Sequence, residues 1–304
     1  MTATDTPAPD RRSPSLARRL AIWLFGRRRL QLGLLLFLPL AWLVIVYLGS
    51  LFVLLLSAFW EKDTFTGNVE PFAWSLKAVE TLLNEDVYRT VAIRTLVMAA
   101  LVTLTDALLA FPIAYYMARV ASPRVRNALV VAVLMPLWAA YLVKVYAWRT
   151  ILQGNGLLEA VTEPFGIGQP WRGLKEIANS WLVLSYLWLP YMILPLYAGL
   201  ERIPGSLLEA SADLGGRART TFRRVILPLA FPALVAGSIF TFSLTLGDYI
   251  TPDLVSDAKF IGNVIYDNSS LGSPPLAAAY SILPILIMIA YLAIARRLGA
   301  FESL

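Results

Sequence analysis

From residue 30 to residue 60 the sequence contains no Lys, Arg, Asp or Glu, and few folds accept so long an uncharged run. About 20 apolar helical residues cross a bilayer. In hydrocarbon every backbone amide must find its partner inside the protein, which restricts spanning structure to helices and closed barrels. The run is therefore read as a first transmembrane helix, tilted or prolonged past the membrane. It is too long for a secretory signal and has no clear small-residue cleavage site, so it is expected to be retained.

Five further apolar stretches follow at 90–117, 127–148, 179–200, 229–250 and 276–294. A chain of 304 residues that is 58% hydrophobic and 15% charged, with a mean hydropathy of +0.65, agrees with this pattern and not with a soluble globule. The expected fold class is an all-α polytopic membrane protein with six transmembrane helices in residues 30–298. A disordered, basic amphipathic segment over 1–29 precedes them and a short tail over 299–304 follows. The segment 61–89 is polar and net acidic and carries a short helix signal near 76–83, while 149–178, with one helical turn expected near Leu157, and 251–275 have the Gly and Pro content of loops.

Zero Cys excludes disulfides and thiolate chemistry, and zero His removes the commonest metal ligand and neutral-pH base. No catalytic constellation, metal site or bound cofactor is expected. The formal charge of +6 is carried largely by arginines beside apolar runs, which mark topology and not a nucleic-acid surface. Placing 1–29, 119–126, 201–228 and the C-terminus in the cytoplasm puts seventeen of the 26 basic residues there, and twelve of the 20 acidic ones outside. Both termini are thus expected in the cytoplasm, with the lipid bilayer as the chain's environment.

The polar stretch 206–228, SLLEASADLGGRARTTFRRVILP, lies between two spans. Ser206 followed by Glu209 predicts a capping box that starts a helix over 207–214. The pair Gly215–Gly216 should end that helix, because Gly readily takes the left-handed cap conformation. A second helical run should begin near Thr220 and meet Pro228.

These residues resemble the EAA loop of inner-membrane subunits of ABC importers, through Glu209, Ala210, Ser211, Gly215, Val225, Leu227 and Pro228. Ser211 stands where the pattern has a second Ala, and Val225 where it has Ile. The resemblance implies that 201–228 forms a coupling helix, involving Ser206, Glu209, Ala210, Ala212, Gly215, Leu227 and Pro228, that docks on a separate cytoplasmic ATPase. Two ATPase copies would bind the ATP and Mg, since no Gly-x4-Gly-Lys-Ser/Thr loop occurs here. It also implies a second permease subunit, an external solute-binding protein and a bacterial inner-membrane location.

Two carboxylates, Asp106 and Asp248, fall inside predicted spans, where an unpaired charge is costly and should face a cavity or a partner. Asp106 is expected either to line a pathway or to meet neighbouring Thr103 and Thr105. Asp248 lies in LGDYITP beside Tyr249, an acid and aromatic pairing that suits an amine, although a structural pairing is the alternative. The stretch from Pro136, Leu137 and Trp138 to Lys144, Val145 and Tyr146, together with LGDYITP and GNVIYD (262–267), is similar to the polyamine-type branch of these permeases, whose members serve spermidine, putrescine or related solutes. Trp138 and Tyr141 could join Asp106, Asp248 and Tyr249 along a substrate pathway, or form an interfacial aromatic belt. Prolines 112, 136, 190, 195, 232 and 284 are expected to kink their spans, with 190 and 195 breaking the fourth. Two alternative functions stand beside the ATP-driven permease, an ion-coupled secondary transporter and a non-transporting scaffold. The lack of an internal repeat weakens the first.

Overall fold

The computed structural model describes residues 28–62, 69–153, 156–162, 164, 175–270 and 272–297. The expectations for residues 1–27 and 299–304 and for Gly154, Gly166, Gly168 and Pro170 lie outside them. The chain divides into two compact units, Met1–Leu54 and Leu55–Leu304. In the first, α1 (Arg28–Trp42) passes through a π turn (Leu43–Leu48) into α2 (Gly49–Ser57). From Leu35 onward its side chains are almost all exposed, as an uncharged segment solvated by lipid or by another subunit requires.

The second unit opens with a feature absent from the sequence expectations, a two-stranded antiparallel hairpin of β1 (Trp60–Lys62) and β2 (Val69–Trp74). A bulge between Trp60 and Glu61 shifts its register, so that Glu61 faces Glu70 while Trp60 faces Trp74. Helix α3 (Lys77–Asn84) then fills the predicted 76–83 position, its first residue paired with Glu61.

Three long helices build the centre. They are α4 (Asp86–Tyr115), which continues through a π turn to Val120, α8 (Lys175–Arg202) and α11 (Leu227–Gly247). Small residues let them approach. A Cβ on Gly199 of α8 would come within 2.2 Å of the Ala233 Cβ on α11, and one on Gly237 within 2.8 Å of the Met192 sulfur; such contacts between backbones are how helices associate in lipid. Met98, Val102, Leu184, Leu187 and Trp188 form one buried cluster. Ala110, Ala114, Met192, Leu196 and Ala230 form another further along the same helices. Helix α14 (Pro274–Arg297) joins them, with the Tyr280 hydroxyl donating to the Tyr88 carbonyl at 2.7 Å.

Several expectations are corrected. The third span is not one helix: α5 (Pro123–Trp138) and α6 (Tyr141–Leu152) meet at 92°. The bend falls at Ala139 and Ala140, both extended with ψ of 136°, and not at Pro136, which stays inside α5. Helix α8 runs unbroken through Pro190 and Pro195, since neighbouring helices can shelter the backbone groups that a proline frees. The second run after the glycine pair does not stop at Pro228. It starts as α10 (Ala218–Thr221), widens through a π turn (Phe222–Ile226) and continues into α11, so that Pro228 lies within a continuous helical run just after the widened turn. Where a loop was expected after 250, α12 (Ile250–Val255) and α13 (Ile261–Ser270) stand. The helical turn expected near Leu157 is present as α7 (Leu157–Thr162), and the helix expected over 207–214 forms as α9 (Gly205–Asp213). Among the described residues five helices are long and apolar enough to span a membrane, and the bent pair makes a sixth crossing if it counts as one span.

Candidate functional site

Two sites take shape at opposite ends of the central helices. At one end, α8 is stopped by a side chain: the Arg119 guanidinium donates to the Leu200 carbonyl at 2.6 Å and also to that of Ile203. Arg126 pairs with Glu201 at 3.2 Å, and Tyr197 donates to the same carboxylate at 3.1 Å. Sequence reasoning took Arg119 and Arg126 only as topology markers. Their place just after a long apolar run is also where cations meet orphan helix carbonyls, and that signal could have found them.

The predicted capping box does not form. Helix α9 begins at Gly205 with Pro204 as its N-cap and no side-chain cap bond, so Ser206 lies inside the first turn. Pro204 supplies the fixed extended geometry before the helix, and the Leu207 amide reaches its carbonyl at 3.2 Å. The other end is as expected. Gly215 has φ of +77°, its amide donates to Ala212 and the Gly216 amide to Ser211, each at 2.8 Å. This pair of bonds is a Schellman ending.

The Ser211 and Thr221 hydroxyls meet at 2.8 Å and tie α9 to α10. Leu208 packs inward on the buried cluster. Outward lie Ser206, Glu209, Ala210, Ala212 and Gly215, with Leu214 89% exposed at the tip. Leu227 and Pro228 belong to the start of α11 instead.

At the opposite end, LGDYITP and GNVIYD fold against each other. A Cβ on Gly262 would meet the Asp248 and Gly247 carbonyl oxygens at 2.9 Å. The Asn263 amide donates to the Tyr249 carbonyl at 2.7 Å, and the Tyr249 and Tyr266 rings stack at 4.5 Å. Asp248 is buried and accepts four bonds. Oδ1 takes the Ile250 and Thr251 amides at 3.0 Å each, and Oδ2 takes the Tyr141 hydroxyl at 2.5 Å and the Thr251 hydroxyl at 2.9 Å. The carboxylate thereby fixes the start of α12 and binds it to α6. Nearby Lys259 bonds Asp253 and reaches Asp267, each at 3.1 Å, and these partners hold its ammonium above the ordinary lysine range.

Tyr141 stacks on Trp188 at 6.0 Å, Trp188 meets Tyr191 edge-on at 5.9 Å, and Tyr191 approaches Phe240 at 6.4 Å. Tyr141 is half-buried against the core, and its hydroxyl bonds the buried Asp248 carboxylate. Trp138, at the end of α5, is 90% exposed and does not join this layer. Asp106 stands apart from it, fully buried on α4, with no hydrogen bond to either carboxylate oxygen. The expected bonds to Thr103 and Thr105 are absent. Thr103 donates to the Ala99 carbonyl at 2.7 Å, and Thr105 donates to Leu101 and accepts from the Trp181 indole at 3.0 Å. Among the described residues no cluster of acids could hold a metal ion.

Two membrane-buried acids, a helical elbow between spans and a bent span make a transport subunit the natural comparison. Residues 103–301 match the family described as binding-protein-dependent transport system inner membrane component. The chain belongs to that family.

It is 46% identical to the inner membrane ABC transporter permease protein YdcU of Escherichia coli over 289 residues, covering 90% of this chain and 92% of that one. Identity to the spermidine/putrescine transport system permease protein PotB of Haemophilus influenzae is 32% over 228 residues, covering 74% and 78%. The fold matches a subunit of a bacterial ABC transporter that imports the acidic polysaccharide alginate, with a TM-score of 0.68 at 17% identity over 92% of this chain and 99% of that one. The chain is thus the multi-pass membrane component of an ABC transporter, not an enzyme, and neither the ion-coupled nor the scaffold alternative is retained.

Proposed function

We propose that this chain is one half of the translocation pathway of an ATP-driven importer for a small cationic solute of the polyamine type. The observation that carries the coupling half is the elbow at 205–216. It is a short helix tied back to α10 by Ser211 and closed by Gly215, and it presents Glu209, Ala210, Ala212 and Leu214 outward. That exposed, mostly small and apolar face suits insertion into a groove on an ATPase. In this reading two ATPase subunits hold the ATP and Mg, a second permease completes the pathway, and a solute-binding protein delivers cargo to the end bearing Asp248.

The cargo half is supported by the likeness to a spermidine/putrescine permease and by the aromatic layer around Tyr141, with Asp248 and Tyr249 at its outer end. Aromatic faces and a carboxylate attract ammonium groups. Asp106, Trp138 and Tyr141 are assigned to the pathway walls on the same reading, and the elbow and both termini to the cytoplasm of a bacterial inner membrane.

The test is to purify the chain with its copurifying subunits and measure ATP hydrolysis with binding protein loaded with spermidine, putrescine, amino acids or sugars. Stimulation by the polyamines is the expected result. Stimulation by another class alone would refute the cargo assignment, and a complex lacking any ATPase would refute the coupling one.

A further inference from the structure

At the end of the molecule that carries the elbow, a cleft of about 390 Å³ lies between α8 and α11, apart from the exposed docking face and from the aromatic layer. Its walls change character along its length. Arg202, Pro204 and Leu207 stand where α8 gives way to α9, while Pro195, Val235 and Ile239 lie deeper along the two helices. Gly199 and Ala233, whose helices approach closely there, also line it. Leu207 and Leu229 at the rim are exposed, as is Arg202.

Among the described residues the Arg202 side chain makes no ion pair or hydrogen bond, while its neighbour Glu201 is held by Arg126 and Tyr197. Arg217, Arg219, Arg223 and Arg224, at the same end of the molecule, are likewise without an ion pair among the described residues.

We propose that this cleft is a binding site for an anionic phospholipid, with an acyl chain in the α8–α11 furrow and the headgroup phosphate on Arg202. The polarity of the site is that of the ligand, with one cation at the water boundary above an apolar slot. Arginine matches a phosphate bidentately. Both zwitterionic and anionic lipids carry that phosphate, but the ammonium of a zwitterionic headgroup would lie beside the Arg202 cation and be repelled by it, so Arg202 favours the lipid with net negative charge. Pro204 and Leu207 belong at once to the cleft and to the start of α9, so a bound lipid braces the joint on which the elbow turns. The inference rests on the permease reading only in placing this end at the cytoplasmic face and in calling the elbow a coupling element.

The experiment uses the full chain with whatever subunits copurify, delipidated in mild detergent and offered equal amounts of phosphatidylglycerol and phosphatidylcholine. Retained lipid is counted by native mass spectrometry. A severalfold preference for phosphatidylglycerol is expected, falling to parity in Arg202→Gln and surviving in Arg297→Gln, whose arginine lies outside the cleft. Ala236→Phe, which fills the furrow, should lower retention of both lipids. Equal retention in the wild type, or a preference that survives Arg202→Gln, overturns the proposal. So does crosslinking of a cysteine at position 236 to a protein subunit in place of lipid. Because lipid is counted without ATP or solute, a chain that binds no ATPase yet keeps the preference defeats the coupling reading alone. A coupled complex without the preference defeats the lipid site alone.

Discussion

Asp248 and Asp106 are both buried carboxylates of the second unit, and their surroundings are opposite. Asp248 is saturated by two amides and two hydroxyls, whereas Asp106 has no hydrogen-bonding partner at either oxygen. In Asp248→Asn the new NH2 avoids the two amides only by facing the Tyr141 and Thr251 hydroxyls, which can accept it but then leave a hydroxyl hydrogen without its acceptor, and an unsatisfied buried group costs about 1–3 kcal/mol. The variant should lower the thermal stability and yield of the complex before transport is considered, and an unchanged melting temperature would contradict this geometry. Asp106→Leu should act the other way. A buried carboxyl with no hydrogen-bonding partner costs about 1–3 kcal/mol, so removing it should leave stability equal or higher. A clear loss of stability in a thermal shift assay would reveal a partner for Asp106. The two acids were visible in the sequence because charges are rare in apolar runs. Their difference was not, since it depends on Tyr141, which lies 107 positions from Asp248.

The elbow separates two kinds of helix signal. Gly215 was readable because a left-handed residue after a helix is a local backbone requirement, and the structure holds it at φ +77°. Ser206 misled because Pro204, two positions earlier, already sets the extended geometry of an N-cap and moves the helix start forward. Gly215→Ala should therefore strain the turn by about 1–2 kcal/mol and reduce solute-stimulated ATP hydrolysis, while Ser206→Ala should stay within about 0.5 kcal/mol of the wild type and hydrolyse ATP normally. Equal effects in the ATPase assay would contradict the cap assignment.

The same contrast explains the spans. Long apolar runs gave their number and approximate positions, but the 92° bend at Ala139–Ala140 carries no local signal, as alanine favours helix. Helices α12 and α13 were missed because their Gly and Pro residues read as loop. In the structure Gly262 is a point of close approach to the Gly247 and Asp248 carbonyls, and Pro252 lies in the first turn of α12, where a proline is accommodated.

For the whole molecule, orientation is the property that everything proposed above depends on, and the chain's lack of Cys makes it directly measurable. The arginines at 119–126 and 201–224 lie at the elbow end, while Asp253, Asp257 and Asp267 lie beyond the far end of α11, so the positive-inside bias predicts an elbow in the cytoplasm. Single cysteines must be placed where a reagent can reach them. Ala258 is buried against Phe260 and Val255, so a cysteine there would stay silent from either side and say nothing about topology. Ala160 on α7 and Asp257 between α12 and α13 are exposed, as is Leu214 at the tip of the elbow. A membrane-impermeant maleimide added to intact cells with a permeabilised outer membrane should label Ala160→Cys and Asp257→Cys at once, and Leu214→Cys only after the inner membrane is opened. Labelling of Leu214→Cys in intact cells would invert the molecule. It would remove the elbow from any ATPase, and it would place the Asp248 end, with its tyrosines and carboxylates, where no external binding protein could deliver cargo.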